Sequence, residues 1–459
     1  MKFSKSALFL ILIGIYFVLK FYEKRNWENP HLLSYDAGAY YSYVTAAFIY
    51  NHLSLADFSV IPNEDFHHFW YTVKQANGNS IIKMTAGVAL LELPFFFIGH
   101  TYAKLNGYFL NGYTAPYNVS ICCCALFYFF IGLTFLRKTL LFFFSENVTT
   151  LTIGIISLCT NLYYYVLMEP GMSHTYSFFA ISLFVYYTVK HKETNMSKYF
   201  VLALLMLGIV ALIRPVNILV GVFLFLYGVN SLSELKRVLL YHFQNWRMVL
   251  ISVLAFLLPI SIQIVYWKFY SGSFFVDTYG KERFFFSNPH VFSFLFSFRK
   301  GWLLYTPIML FACLGIVVML FKKKKYPFSL ATAFFVLLFI YMCSSWYSWW
   351  FAASYGQRPM IDIYAILALG MAVFIDGVFN SKRTTVIFIP AVLFFAKLNF
   401  IQMWQYEHTW LHYDSMTKEA YKILFFEETT LPPDFQKYLC TPNVDLALMG
   451  KEQIDCQVK

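Results

Sequence analysis

The sequence predicts an all-α polytopic membrane protein with about eleven transmembrane helices, plus outward-facing juxtamembrane helices and a small β-hairpin. Three observations carry that expectation. The chain of 459 residues is 59% hydrophobic and 13% charged, with a mean hydropathy of +0.57, whereas a soluble domain carries roughly 25% charged residues. Apolar runs of about 17–25 residues, enough to cross a bilayer, recur along it. Short basic clusters punctuate those runs. The runs are continuous and too long for barrel strands, which alternate apolar and polar residues over roughly ten positions.

The basic clusters set the expected orientation, because Lys and Arg are retained on the cytoplasmic side. Lys2 and Lys5 put the N-terminus inside, and Arg137/Lys138, Lys190/Lys192, Lys236/Arg237, Lys322 to Lys325 and Lys382/Arg383 each follow an apolar run. The expected spans are 4–22, 117–136, 148–167, 174–190, 198–212, 216–231, 248–268, 303–321, 328–345, 360–379 and 384–403. The formal charge of +11 thus reports orientation before any nucleic-acid partner, and none is expected. The first run looks like a signal peptide, but Lys20, Phe21, Tyr22 and Glu23 follow it instead of a small-x-small site, so it reads as an uncleaved span.

The stretch Ala86 to Ala103 is apolar enough to cross, yet crossing would place Arg137/Lys138 outside. It is expected as an interfacial helix on the outer face, where Glu92, Pro94 and His100 are tolerable. The first outer loop then runs over 23–116. Within it Asp36 can cap a helix beginning Ala37-Gly38-Ala39, and Asn77-Gly78 marks a hairpin ending at Lys83. The transmembrane domain covers 1–404, and 405–459 forms a small outer tail whose Cys440 and Cys456 can pair in an oxidising compartment. Cys122, Cys123, Cys124, Cys159, Cys313 and Cys343 read as small core residues. No CxxC pair or Cys/His cluster suggests zinc.

Charged and polar residues gather at the outer ends of the spans: Asp36, Lys83, Glu169, His174, Arg214, Arg299, Lys300 and Arg358. Most inner loops are little more than basic clusters, so any chemistry is expected to face outward.

An Asp opens a helix after the first span (SYDAGAYY), and a Lys leads into an interfacial helix (SIIKMTAGVALLELPFF). An acid follows in the second outer loop (LMEPGMSHTYSFF), then IRPVN, FRKGWLLYTPIML and SWYSWWFAASYGQRP. This ordered set, over about the first 360 residues, resembles the GT-C superfamily of membrane glycosyltransferases, and within it the branch of protein O-mannosyltransferases and the lipid A aminoarabinose transferase. The resemblance implies an inverting transfer of a sugar from a polyprenyl-phosphate donor to a hydroxyl or phosphate of a lipid, glycan or protein acceptor. It also implies a multi-pass protein of a bacterial cytoplasmic membrane, in contact with its lipids and working on the outer side.

Such a transfer needs a base for the acceptor hydroxyl and cations for the leaving phosphate. Asp36 is the expected base; the bland alternative, a helix N-cap, is compatible with that role. Lys83, Arg214, Arg299, Lys300 and Arg358 are candidates for the phosphate, against ordinary snorkelling or structural ion pairing. Glu169 can orient the acceptor, pair with a cation, or hold a divalent metal with Asp36; alternatively it is a solvated loop acid. His174 can meet the phosphate or sugar, although a lone His at a span end is more often structural. Trp349 and its neighbours can stack on a sugar or belong to an interfacial aromatic belt. No GxxxxGK[ST] loop and no Gly-rich fingerprint after a strand occurs, which disfavours nucleotide-driven chemistry. The rival class, a lipid-linked-sugar flippase or secondary transporter, predicts internal repeats and mid-membrane polar residues; neither is evident.

Overall fold

The computed structural model describes residues 4–57, 66–69 and 71–451. Among them the chain forms α1 (Lys5–Lys24), α2 (Tyr35–Phe48), strands β1 (Thr72–Lys74) and β2 (Ser80–Ile82), α3 (Gly87–Leu105), α4 (Ala115–Leu140), α5 (Glu146–Leu158), α6 (Leu162–Leu167) and α7 (Ser173–Thr194). Then follow α8 (Ser197–Ile213), α9 (Gly221–Leu226), α10 (Leu232–Gln244), α11 (Trp246–Ser271), α12 (Val291–Phe296), α13 (Trp302–Tyr305), α14 (Met309–Phe321) and α15 (Ser329–Ser344). The last are α16 (Tyr364–Val378), α17 (Lys382–Glu407), α18 (Lys418–Leu424) and α19 (Val444–Leu448). The protein is mostly helical, with one small antiparallel sheet.

Helix runs through every expected span, but among the described residues only four stretches are long and apolar enough to cross a membrane alone: Lys5–Glu28, Ala115–Leu140, Trp246–Ser271 and Lys382–Glu407. The others are shorter or broken, and the breaks have identifiable causes. The expected span 148–167 is split at Cys159 to Asn161, where Asn399 Nδ2 donates to the freed carbonyls of Leu158 (3.2 Å) and Thr160 (3.1 Å). An apolar interior tolerates a broken helix only when such groups find partners. The expected span 303–321 is split at Pro307, which has no N–H to continue the ladder.

The centre of the fold is α16 with α7. Both are buried along most of their length, α16 apolar on nearly every side and α7 with Ser, Thr and His among its apolar residues, as expected for interior helices. α8 packs along α7 and α11, α4 along α3 and α7, and α14 along α16. At the periphery α1 exposes Leu12, Ile15 and Leu19, and α11 exposes Leu254, Leu258 and Phe269. Apolar faces this extensive mark contact with lipid or another protein. The tail after α17 is packed against the rest, with Leu411, Met416, Ala420, Leu424 and Phe435 in the main core. Cys440 is disulfide-bonded; Cys456 lies outside the described residues.

The hairpin forms around Asn77-Gly78, but with a three-residue loop, Gln75 N donating to the Asn79 carbonyl (2.7 Å) across Ala76, Asn77 and Gly78. Thr72 pairs with Ile82, Val73 with Ile81 and Lys74 with Ser80, and Gly78 turns with φ +89°, a conformation open to glycine without a Cβ penalty. The start of α2 differs from expectation. The helix begins earlier, with Ser34 at its N-cap and Asp36 in its first turn. Tyr35, at φ +53°, swings the chain into the helix, and the Asp36 carboxylate turns to an arginine instead of capping.

One glycine holds two segments of the polar region together. A Cβ on Gly87, at the start of α3, would lie 2.4 Å from both Ile213 N and Leu212 C. That contact seats the Lys83 segment against the end of α8. Gly87→Val is therefore expected to destabilise by about 3 kcal/mol or more, since backbone atoms cannot rotate away. Gly377→Ala, on α16 with nothing within 4 Å of its Cβ, is expected to be neutral or stabilising by roughly 0.5–1 kcal/mol. Thermal unfolding of both variants in detergent checks the contrast.

Candidate active site

A cavity of about 1110 Å³ is lined by Asp36, Lys83, Glu169, Arg214, Glu282 and Arg358 among others. Five of these six are residues singled out in the sequence. Six separate parts of the fold contribute them: the start of α2, the end of β2, the turns after α6 and α8, and the loops before α12 and α16.

Arg358 comes from the Trp-rich loop, and that loop is built to hold it. Phe351, Ala353 and Gly356 all take left-handed backbone angles (φ +46°, +50° and +59°). For the two non-glycine residues this costs on the order of 1–3 kcal/mol each and persists only where the surroundings over-determine it. Here Ala353 N donates to Asp414 Oδ1 (3.0 Å), Tyr355 N to the Tyr165 hydroxyl (3.2 Å), and Asn161 Nδ2 to the Tyr355 carbonyl (3.3 Å). The Tyr355 hydroxyl meets Asn399 Oδ1 (3.0 Å), and Gln357 Nε2 donates to the Trp349 carbonyl (3.1 Å). Arg358 Nη2 then lies 2.9 Å from Asp36 Oδ2.

Lys83 follows β2 directly. Its N–H donates to the Tyr71 carbonyl (2.8 Å), and its carbonyl accepts from Thr278 Oγ1 (2.8 Å). Its ammonium pairs with Glu282 Oε1 at 2.5 Å and sits over the rings of Tyr71 and Tyr279, at 5.7 and 5.0 Å. Arg214 ends α8, where Pro215 follows. Its Nε lies 3.3 Å from Asp362 Oδ2.

Asp362 is fully buried (0% exposed) and organises that corner. His174 Nδ1 lies 2.8 Å from Oδ1, and Asn217 Nδ2 donates to Oδ2 (2.9 Å). A buried carboxylate has to be paired and hydrogen-bonded in this way.

His174, Arg299, Lys300 and Trp349 do not line the cavity. His174 is spent on Asp362. Trp349 is buried beneath the loop that delivers Arg358. Arg299 stands over the Trp350 ring, its guanidinium carbon 5.4 Å from the centroid. Lys300, 2% exposed, donates to the carbonyl and hydroxyl of Ser354 and lies 3.9 Å from Asp414. It braces the loop from behind.

Asp362, Glu282 and Asn217 escaped the sequence reading. Asp362 carried a usable signal, since it is an acid inside an apolar span. Glu282 and Asn217 carried none, because each matters only through a partner far away in sequence.

Burial pushes Glu169 up to about 7, with the Asp36 carboxylate adding to the shift while Arg358 opposes it. Burial likewise lowers Lys300 to about 7 against the pull of Asp414. As a metal site the pair Asp36 and Glu169 fits poorly. The Arg358 guanidinium already occupies Asp36, and among the described residues no group of three or more His, Cys, Asp or Glu could hold an ion.

No known family model matches the chain, and no curated protein matches it. The fold and cavity define a mostly helical protein with membrane-length apolar helices and a polar, ion-paired chamber.

The two shifted groups give the stability a pH signature. Between pH 4.5 and about 7 the folded chain holds more protons at Glu169 than the unfolded chain, so stability falls as pH rises. Between about 7 and 10.5 it holds fewer at Lys300, so stability rises with pH. Glu169→Gln is expected to remove the acid-side decline and Lys300→Met the alkaline-side rise, read as Tm across pH.

Proposed function

We propose that the protein is an inverting GT-C-type glycosyltransferase. It crosses a bacterial cytoplasmic membrane about eleven times, with short and broken helices completing the four long ones. Its cavity opens to the outer side, and it moves a sugar from a polyprenyl-phosphate donor to an acceptor hydroxyl or phosphate.

The observation that carries this reading is the Asp36–Arg358 pair, 2.9 Å apart, in one cavity with Lys83, Arg214 and Glu169. A carboxylate and cations for a phosphate share one chamber. With a hydroxyl acceptor, the acceptor oxygen attacks the anomeric carbon as the bond from that carbon to the phosphate oxygen breaks. The hydroxyl proton passes to Asp36, whose Oδ1 is the oxygen turned away from the ion pair. The negative charge released on the phosphate falls to Arg358 and Lys83, which present fixed donors to it. Arg214 adds a third cation, oriented by Asp362. Glu169 stands beside Asp36 and Arg358 and suits acceptor orientation. A single displacement with one base inverts the anomeric centre.

The test is transfer by the purified chain from a labelled polyprenyl-phosphate sugar. Asp36→Asn is expected to lower turnover about 10²- to 10⁴-fold, and Lys83→Gln chiefly to raise the donor KM. Full activity of Asp36→Asn would remove the base. Lipid translocation without transfer would make the protein a flippase instead.

A further inference from the structure

The helix α10 is discrete, with its own ends. Ser231 Oγ accepts from Glu234 N (3.2 Å), Asn230 N donates to Glu234 Oε2 (2.6 Å), and Asn245 separates α10 from α11. One face packs on the protein. His242 is buried against the rings of Phe200 and Phe225, and the Tyr241 hydroxyl donates to Asn195 Oδ1 (2.9 Å).

A second face has no protein under it. At helical spacing, Leu232, Leu239 and Phe243 fall within about 40° of one another. Leu232 is 85% and Phe243 80% exposed. The ridge continues into α11 through exposed Trp246, Leu250, Leu254 and Leu258, and α11 is one of the four membrane-length helices. Lys236 at the edge of this ridge, Arg237 farther round the helix and Arg247 at the start of α11 are exposed. The lone acid of this stretch, Glu234, is spent on the cap.

We propose that α10 lies in the plane of an anionic lipid surface, with Leu232, Leu239 and Phe243 buried among the acyl chains and Lys236, Arg237 and Arg247 meeting the headgroups. Two features select this occupant. The apolar ridge is continuous with the apolar face of a membrane-length helix, and its rim is cationic, as in-plane helices on anionic leaflets are. A second copy of the chain would bring the same cations together. The proposal is independent of the transfer reaction; only the naming of the leaflet as cytoplasmic depends on the orientation proposed above.

The full chain in nanodiscs provides the test. A nitroxide on Phe243→Cys reports its access to oxygen and to an aqueous nickel chelate, with the unsubstituted chain as labelling background. In discs containing phosphatidylglycerol the label is expected to be oxygen-accessible and shielded from chelate, and less so in phosphatidylcholine alone. The triple variant K236Q/R237Q/R247Q is expected to abolish that difference at unchanged Tm. Leu239→Cys serves if Phe243→Cys does not fold. Free chelate access in both lipids, equal immersion in both, or label–label broadening from apposed copies would each overturn the proposal.

Discussion

Arg358 sets the terms for the polar region. Its guanidinium is largely withdrawn from water, and a buried charge left alone costs several kcal/mol. The fold answers with Asp36 at 2.9 Å and with a loop in which Ala353, left-handed, and Tyr355 are held by hydrogen bonds from distant segments. Those bonds come from α6, α17 and the tail, so distant segments jointly fix one side chain. Lys300 belongs to the same construction. Its ammonium holds the Ser354 carbonyl, and its position behind the loop makes it a brace.

The other cavity cations follow the same rule. Lys83 is matched by Glu282 and Arg214 by Asp362, each partner arriving from a remote stretch of chain. Removing one partner of such a pair is far more damaging than the pair is stabilising, because the other is left uncompensated. Under the proposed function, a donor phosphate entering the chamber exchanges places with a carboxylate at one of these cations. That exchange favours ligands offering several acceptor oxygens, as a phosphate does. Asp362, far from solvent, is partnered by the same rule, with Arg214, His174 and Asn217 together meeting both of its oxygens.

Much of this was legible in the sequence. Apolar runs predict helices, and helix runs through each of them. Asn77-Gly78 predicts a turn with positive φ, and Gly78 takes it in the hairpin that leads to Lys83. Asp36, Lys83, Glu169, Arg214 and Arg358 stood out as charged residues at the ends of apolar runs, and all five line one cavity. Arg299, Lys300 and His174 stood out by the same rule and Trp349 as an aromatic, but none of the four lines the cavity. A one-dimensional pattern reports that a polar residue sits at a span end. Which way its side chain points depends on helix rotation and loop path, and those are set by packing.

The sequence alone determined the helical, lipid-compatible character of the chain, because apolar length and basic punctuation are properties of local composition. It also determined the hairpin, whose turn chemistry is local. The pairing of charges belongs to the tertiary structure. Asp36 finds Arg358 across more than three hundred residues, and Asp362 collects partners from three helical segments. So too do the breaks at Cys159–Asn161, stabilised by Asn399, and the shift of Asp36 from helix cap to ion pair. Coulombic pairing and burial depend on distance in space, and no spacing in the sequence encodes that distance.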